Sequence, residues 1–280
     1  MTNLDKEIEN AIDELESLAE VEIIKISEGE ERMGQEDSVK IVSGFQHLDD
    51  CIDGGFREGD FNVITGIPGE GKTTLCRMFT LNLAKNDIPS LWFSYEMTVR
   101  ELWSSFEKMG ADKDLISFAP VELNDDLDWM FRHIDKAIKE HGVKAVFIDT
   151  LGDVVKSVKD QREMNNYANY LAQICKDLRK YAIKNNIMIF AIAHAVKNTR
   201  SKNNETDNSD IANSNGIPAA ATNIFHVWRE EGEKEKVTIV KIGKSRRDGT
   251  KKNWRIKFAF ENDSLRELAS ASDVKKDELW

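Results

Sequence analysis

Phe61-Asn62-Val63-Ile64-Thr65-Gly66-Ile67-Pro68-Gly69-Glu70-Gly71-Lys72-Thr73 is the stretch on which the fold turns. Five residues that read as an apolar strand (61–65) lead into eight that fit the pattern GxxxxGK[ST], and a helical stretch is expected over 71–86. A strand, a glycine-rich loop and a helix in that order make a cradle for phosphate. Glycines let backbone N–H groups curl around phosphate oxygens, and the helix N-terminus adds a favourable dipole. Gly66, Pro68, Gly69, Glu70, Gly71, Lys72, Thr73 and Thr74 are therefore the candidate nucleotide-binding residues. Lys72 is placed to reach the β- and γ-phosphates, and the Thr73 hydroxyl to ligate Mg²⁺. ATP, or another NTP, and Mg²⁺ are the expected cofactors.

The same alternation continues outward. Strand-like runs stand at 91–95, 143–149 and 187–194, and helical stretches at 98–109, 125–140 and 164–184. Strands alternating with helices predict a mostly parallel twisted sheet covered on both faces, an α/β fold. After residue 222 the runs IFHVW, KVTIVKIGK and WRIKFAF follow one another closely, which suggests antiparallel strands added at the C-terminal end. Residues 197–216 are a long, polar, turn-rich loop. The domain reading is an acidic amphipathic helix and linker at 1–40, an ATPase domain at 41–262, and a polar tail at 263–280. Within 4–20, Leu4, Ile8, Ile12, Leu15 and Ala19 recur at helical spacing. Such a stripe packs either on its own domain or on a neighbouring subunit; the sequence favours neither.

Two carboxylates complete the chemistry. Asp149 ends the run VKAVFID, at the ligand edge of a parallel sheet. Beside a P-loop it is the natural Mg²⁺ group, the alternative being a helix N-cap. Glu96 follows LWFSY at the same edge, where a carboxylate can orient and deprotonate water. Its alternative is the N-cap of the helix at 98–109.

Composition narrows the classes. The 280 residues carry a net charge of −11, of which residues 1–40 hold −9. The remainder is nearly neutral, so bulk charge does not drive nucleic-acid coating, and any such contact needs local patches. No apolar run approaches the ~20 residues of a membrane helix. Cys51, Cys76 and Cys175 are odd in number and lie far apart, which predicts reduced thiols in the cytoplasm rather than a disulfide scaffold.

The order of motifs resembles RecA-like P-loop ATPases, and among them the DnaB-like hexameric helicases. Ile41-Val42-Ser43-Gly44-Phe45-Gln46-His47-Leu48-Asp49 resembles the family's S/T-G-F-x-x-L-D segment. The P-loop follows, then Phe93-Ser94-Tyr95-Glu96-Met97, similar to F-S-x-E-M, and Asp149 as Walker-B aspartate. Lys244-Ser245-Arg246-Arg247-Asp248-Gly249 resembles K-x-R-x-x-G. Together these cover about residues 41–262. Ala193-His194 is similar to the phage helicase–primase and mitochondrial Twinkle-type members.

The resemblance implies a ring-forming helicase moving on single-stranded DNA in replication. Glu96 would activate water, and His194 would sense the γ-phosphate; the plain alternative for His194 is a hydrogen-bonded residue at a strand end. Arg246 would be an arginine finger offered to the adjacent subunit, with Lys244 beside it, and Arg229 would lie near the bound base. The loops at roughly 155–165 and 196–216 would face a central channel and present Lys156, Lys159, Arg162, Lys197, Arg200 and Lys202 to DNA. Solvated polar loops are the alternative there. Asn213 and Asn223 depart from the family's glycine and aspartate. Primase and zinc-binding motifs are absent, so the expectation is a stand-alone, phage- or mobile-element-type helicase domain whose partners include a separate primase or polymerase. A second class stays open: a RecA- or KaiC-like ATPase that binds or remodels a partner without unwinding.

Overall fold

The computed structural model describes residues 25–26, 39–154, 167–196, 204–211, 216–231 and 236–268. The chain divides into two units, residues 1–39 and 40–280, and the sheet with its helices belongs to the second. The helix expected at 4–20 lies outside the described residues, as do Lys156, Lys159, Arg162, Lys197, Arg200 and Lys202.

In chain order the elements are α1 (Gln46–Cys51), β1 (Phe61–Gly66), α2 (Lys72–Ala84), β2 (Ser90–Ser94), α3 (Val99–Lys108), β3 (Ser117–Phe118), α4 (Leu127–His141), β4 (Ala145–Asp149), α5 (Tyr167–Asn185), β5 (Met188–His194), α6 (Gly216–Ala220), β6 (Asn223–Glu231), β7 (Lys236–Ser245), β8 (Arg255–Glu261) and β9 (Ser264–Glu267). Among the described residues nine strands make one sheet, ordered β3-β2-β4-β5-β1-β6-β7-β8-β9. Neighbours from β3 to β6 are parallel, and β6 to β9 pair antiparallel.

The central strands read as continuous apolar runs because both faces are covered. One core gathers Phe61, Val63, Phe93, Val146, Ile148 and Ile189 against α4 and α5. The other gathers Ile64, Trp92, Phe147, Phe190, Phe225 and Val227 against α2 and α3. Residues one apart on a strand thus serve opposite cores. In the second core Phe56 meets Phe79 and Phe190 edge to face at 5.3 and 4.8 Å. Phe147 stacks between Trp92 and Phe190 at 4.8 and 4.7 Å. Local signals agree with this layout. Thr98 and Glu101 form a capping box that starts α3, and Asp126 caps α4.

The antiparallel strands expected at the C-terminal end are present, with two differences in detail. The run IFHVW lies in β6, which is the joint of the sheet rather than simply the first antiparallel strand. It runs parallel to β1, with Asn62 opposite Asn223, and antiparallel to β7. The reason is burial: Ile224, Phe225 and Val227 are all fully enclosed, which requires an interior position in the sheet. Residues 264–267, read as part of a polar tail, are strand β9 paired with β8. The turn between them is Asn262-Asp263, both at positive φ (50° and 59°), the backbone of a two-residue hairpin loop. Leu265 is buried there while Arg266 is exposed, the alternation of a half-covered strand.

Replacing Phe190 by Ala removes the ring on which Phe56, Phe79 and Phe147 pack. The expected cost is about 3–5 kcal/mol of unfolding free energy, read by urea denaturation. A loss below about 1 kcal/mol would contradict this packing.

Candidate active site

The phosphate loop leaves β1 at the middle of the sheet, between β5 and β6. Its first residue is held by close approach: a Cβ on Gly66 would collide with the Val227 carbonyl of β6. Gly71, the N-cap of α2, takes φ 98°, a conformation that side chains rarely adopt. The loop is therefore fixed at both ends by positions that only glycine fits.

Lys72 turns its Nζ back onto the Ile67 carbonyl at 2.9 Å, so it spans the loop from inside. It is 4% exposed, and burial pushes its pKa down against the pull of Asp149, Glu96 and Glu70. Thr73 Oγ1 donates to Asp149 Oδ2 at 2.9 Å, joining the start of α2 to the end of β4. Asp149 is 1% exposed, and burial raises its pKa to about 6; the Thr73 bond acts in the opposite direction. Its second oxygen, Oδ1, is buried without a hydrogen-bond partner. A buried, unpartnered carboxylate oxygen beside a hydroxyl is a donor set that suits a hard cation such as Mg²⁺.

Glu96 lies two residues beyond β2, where Tyr95 N donates to the Asp149 carbonyl at 2.7 Å. Thr98 caps α3, so Glu96 is free of the capping role that was its alternative. Its Oε1 sits 3.2 Å from Nε2 of His194, the last residue of β5. Both face a cleft of about 480 Å³ lined also by Pro68, Gly69, Gly71, Lys72, Thr73, Thr74, Asp149 and Arg229. Most of the described residues singled out in the sequence thus meet in this cleft, while Gly66, Glu70, Lys244 and Arg246 do not line it.

Arg229 reaches the rim of the cleft from β6. Its guanidinium lies against Gly71 and 5.1 Å from the centre of the Phe260 ring. Its backbone N–H donates to Glu70, whose other oxygen accepts from Asn204 Nδ2 at 3.0 Å. Residues 204–211 are packed against the sheet. Asn208 Oδ1 and Thr206 Oγ1 both meet the imidazole of His226 at 2.9 Å, and Glu205 binds Lys241 at 2.7 Å and Arg255 at 2.9 Å. Glu205 is therefore tied into the fold. Burial, with the Lys241 charge, takes His226 down to about 3, so it holds this segment as a neutral imidazole. Asn204 and Phe260 carry no distinctive signal in the sequence. Phe260 is legible only as one residue of an alternating strand, and Asn204 as one of many polar loop residues.

Lys244 and Arg246 lie elsewhere. β7 runs against β6, so Ser245 pairs with Asn223, which itself pairs with Asn62 near the start of β1. Arg246 is thus at the edge where the parallel strands begin, and the P-loop at the edge where they end. Five strand residues at ~3.3 Å each put that separation at roughly 16 Å. Arg246 donates to the carbonyls of Ala221, at 3.0 Å, and Ala219. Lys244 donates to that of Pro218. Arg247 is committed to Asp60 at 2.7 Å.

A P-loop at the centre of a parallel sheet, a buried strand-end aspartate and a carboxylate at the neighbouring strand edge define a RecA-like P-loop ATPase. The chain belongs to the family described as KaiC ATPase, whose pattern matches residues 41–263. It is 26% identical over 266 residues to the replicative DNA helicase DnaB of Mycoplasma genitalium, which covers 80% of this chain and 55% of that one. It is 28% identical over 140 residues to the circadian clock oscillator protein KaiC of Acaryochloris marina, covering 47% of this chain and 27% of that protein. The solved structure of a KaiC-like protein from the archaeon Pyrococcus horikoshii superposes with a TM-score of 0.63 at 19% identity, over 83% of this chain and all of that one, a likeness of fold. The chain spans about half the length of the DnaB helicases it matches. No helix among the described residues is long and apolar enough to cross a membrane.

The Asp149 carboxyl gives a pH test. A folded-state pKa of about 6 against an ordinary 3.8 means that the folded chain binds the extra proton between those values. Its contribution to stability therefore falls as pH rises from about 4 through 6. In metal-free buffer Asp149→Asn should unfold at higher urea than the wild type at pH 8, by up to about 3 kcal/mol, and equally at pH 4. Equal stability at both pH values would show that Asp149 is not strained by burial.

Proposed function

We propose that this chain is the ATP-driven motor domain of a DnaB-type replicative helicase. It works as a ring of copies, a hexamer by the resemblance, that moves along single-stranded DNA and unwinds duplex. The observation that carries the reading is the placement of Arg246 and Lys244. They lie too far from the phosphate cleft of their own chain to serve it, so they complete the cleft of a neighbour. The matches to DnaB helicases support the DNA reading.

Each residue then has a chemical task. Lys72 and the loop amides hold the β- and γ-phosphates. Thr73 and Asp149 would hold Mg²⁺, which would supply charge neutralisation of the phosphates. Glu96 orients a water for in-line attack on the γ-phosphorus and takes its proton as the bond to the ADP oxygen breaks. His194, in contact with Glu96, fixes the direction of that carboxylate and links it to the segment after β5. Arg246, from the next copy, meets charge developing on the transferred phosphoryl. Arg229 and Phe260 flank the position of the base. The segments at 155–165 and 196–216 carry Lys156, Lys159, Arg162, Lys197, Arg200 and Lys202 to DNA phosphates. A separate primase or polymerase is the accompanying partner, and the cytoplasm the setting.

The KaiC family match favours one other reading: the same oligomeric ATPase acting on a protein partner. Steady-state ATP hydrolysis, with and without single-stranded DNA and with oligomer mass recorded, separates the two. Arg246→Ala should lower kcat by roughly 10³-fold while the oligomer persists. DNA should accelerate the wild type. Hydrolysis indifferent to DNA would move the assignment to the partner-remodelling ATPase.

A further inference from the structure

The sheet edge away from the cleft carries a group of cations with an unusual set of partners. Lys244 donates to the Pro218 carbonyl, and Arg246 to those of Ala219 and Ala221. Arg179, from α5, donates to that of Ala220 at 3.1 Å. Three cationic side chains thus occupy four successive carbonyls at the end of α6. A carbonyl accepts a hydrogen bond but carries no net charge, so the three charges are gathered without being neutralised. Asp60, the acid whose field reaches Arg179, is already held by Arg247. The crowding is felt: burial, then Arg246, then Arg179 push Lys244 down to about 8. Burial and Arg246 likewise push Arg179 down. An anion entering this group relieves the repulsion. The chain's own phosphate cleft lies at the opposite edge, so a nucleotide bound there does not supply that anion.

We propose that Arg179, Lys244 and Arg246 form a single tricationic receiver for the triphosphate bound to a neighbouring copy, with Arg179 as a positioning residue. This rests on the reading of Arg246 given above and adds a residue that no motif marks. Arg179 stays on the Ala220 carbonyl and acts through charge. It raises the positive potential that draws the phosphates in. It also repels Arg246, so that the guanidinium is held less firmly by the α6 carbonyls and passes more readily to the phosphoryl group.

Arg179→Gln retains a donor for Ala220 and removes the charge; Arg179→Lys retains the charge. The glutamine variant should lower kcat about five- to tenfold with little change in KM for ATP, and lysine should restore it to within about twofold. A second readout needs no nucleotide: the titration of Lys244, followed by NMR of labelled lysine. The charges facing Lys244 are Arg246 and Arg179, with the Asp60–Arg247 pair beyond. Its midpoint should rise in Arg179→Gln, because a neighbouring positive charge is lost, and stay in place in Arg179→Lys. Wild-type kcat and an unmoved Lys244 midpoint in Arg179→Gln would overturn the proposal. So would equal loss of kcat in both variants, the mark of a structural peg. If Arg246→Ala is inactive while Arg179→Gln is unaffected, only the role of Arg179 fails. If Arg246→Ala hydrolyses ATP at the wild-type rate, the finger reading fails and this proposal with it.

Discussion

The hydrogen bond from Thr73 to Asp149, 2.9 Å long, is the contact on which the arrangement of the site depends. It ties the first turn of α2 to the last residue of β4, two elements 76 residues apart in sequence. Around it the sheet must be enclosed on both faces, because a carboxylate buried this deeply is reached only from the strand ends. Enclosure raises the cost of the Asp149 charge, and the hydroxyl of Thr73 and the ammonium of Lys72 offset part of it. The remaining oxygen is buried without a hydrogen-bond partner. Packing and electrostatics are therefore one problem with one solution at this position.

The same sheet that gathers the cleft residues sets Arg246 apart from them. Strands β1 and β6 run in one direction and β7 returns. Any residue that follows β7 must then lie at the edge opposite the P-loop. Arg246 is such a residue, and the antiparallel return makes its distance from its own cleft a matter of topology rather than of side-chain conformation. Its companions Lys244 and Arg179 occupy the same edge, and each donates to a carbonyl at the end of α6. Under the proposed function, a split of this kind would make hydrolysis conditional on assembly.

Much of this is legible in the sequence, for physical reasons. The P-loop is readable because phosphate binding constrains residue type at fixed spacing, and Asp149 because it ends a doubly buried strand. Glu96 can be placed at the strand edge, but its contact with His194 cannot, since the two are 98 residues apart and only the sheet brings them together. The parallel pairing of β6 escapes the sequence because its apolar run is equally consistent with either neighbour. β9 escapes it because Asn262-Asp263, where the polar tail is read to begin at 263, is not recognised as a hairpin turn. Arg179 lies unmarked on a helix whose periodicity speaks only of packing. Asn204 and Glu70 share no pattern that pairs them, and their bond emerges only once 204–211 folds onto the sheet.

The central claim is that one catalytic site is built from two copies. Mixing copies that carry Lys72→Ala with copies that carry Arg246→Ala tests it most directly. Each variant alone should be inactive. Random co-assembly should place an intact cleft against an intact finger at about a quarter of the interfaces, and hydrolysis should recover in proportion. Mixed assemblies as inactive as either parent would contradict the split site, and so would full activity of Arg246→Ala by itself.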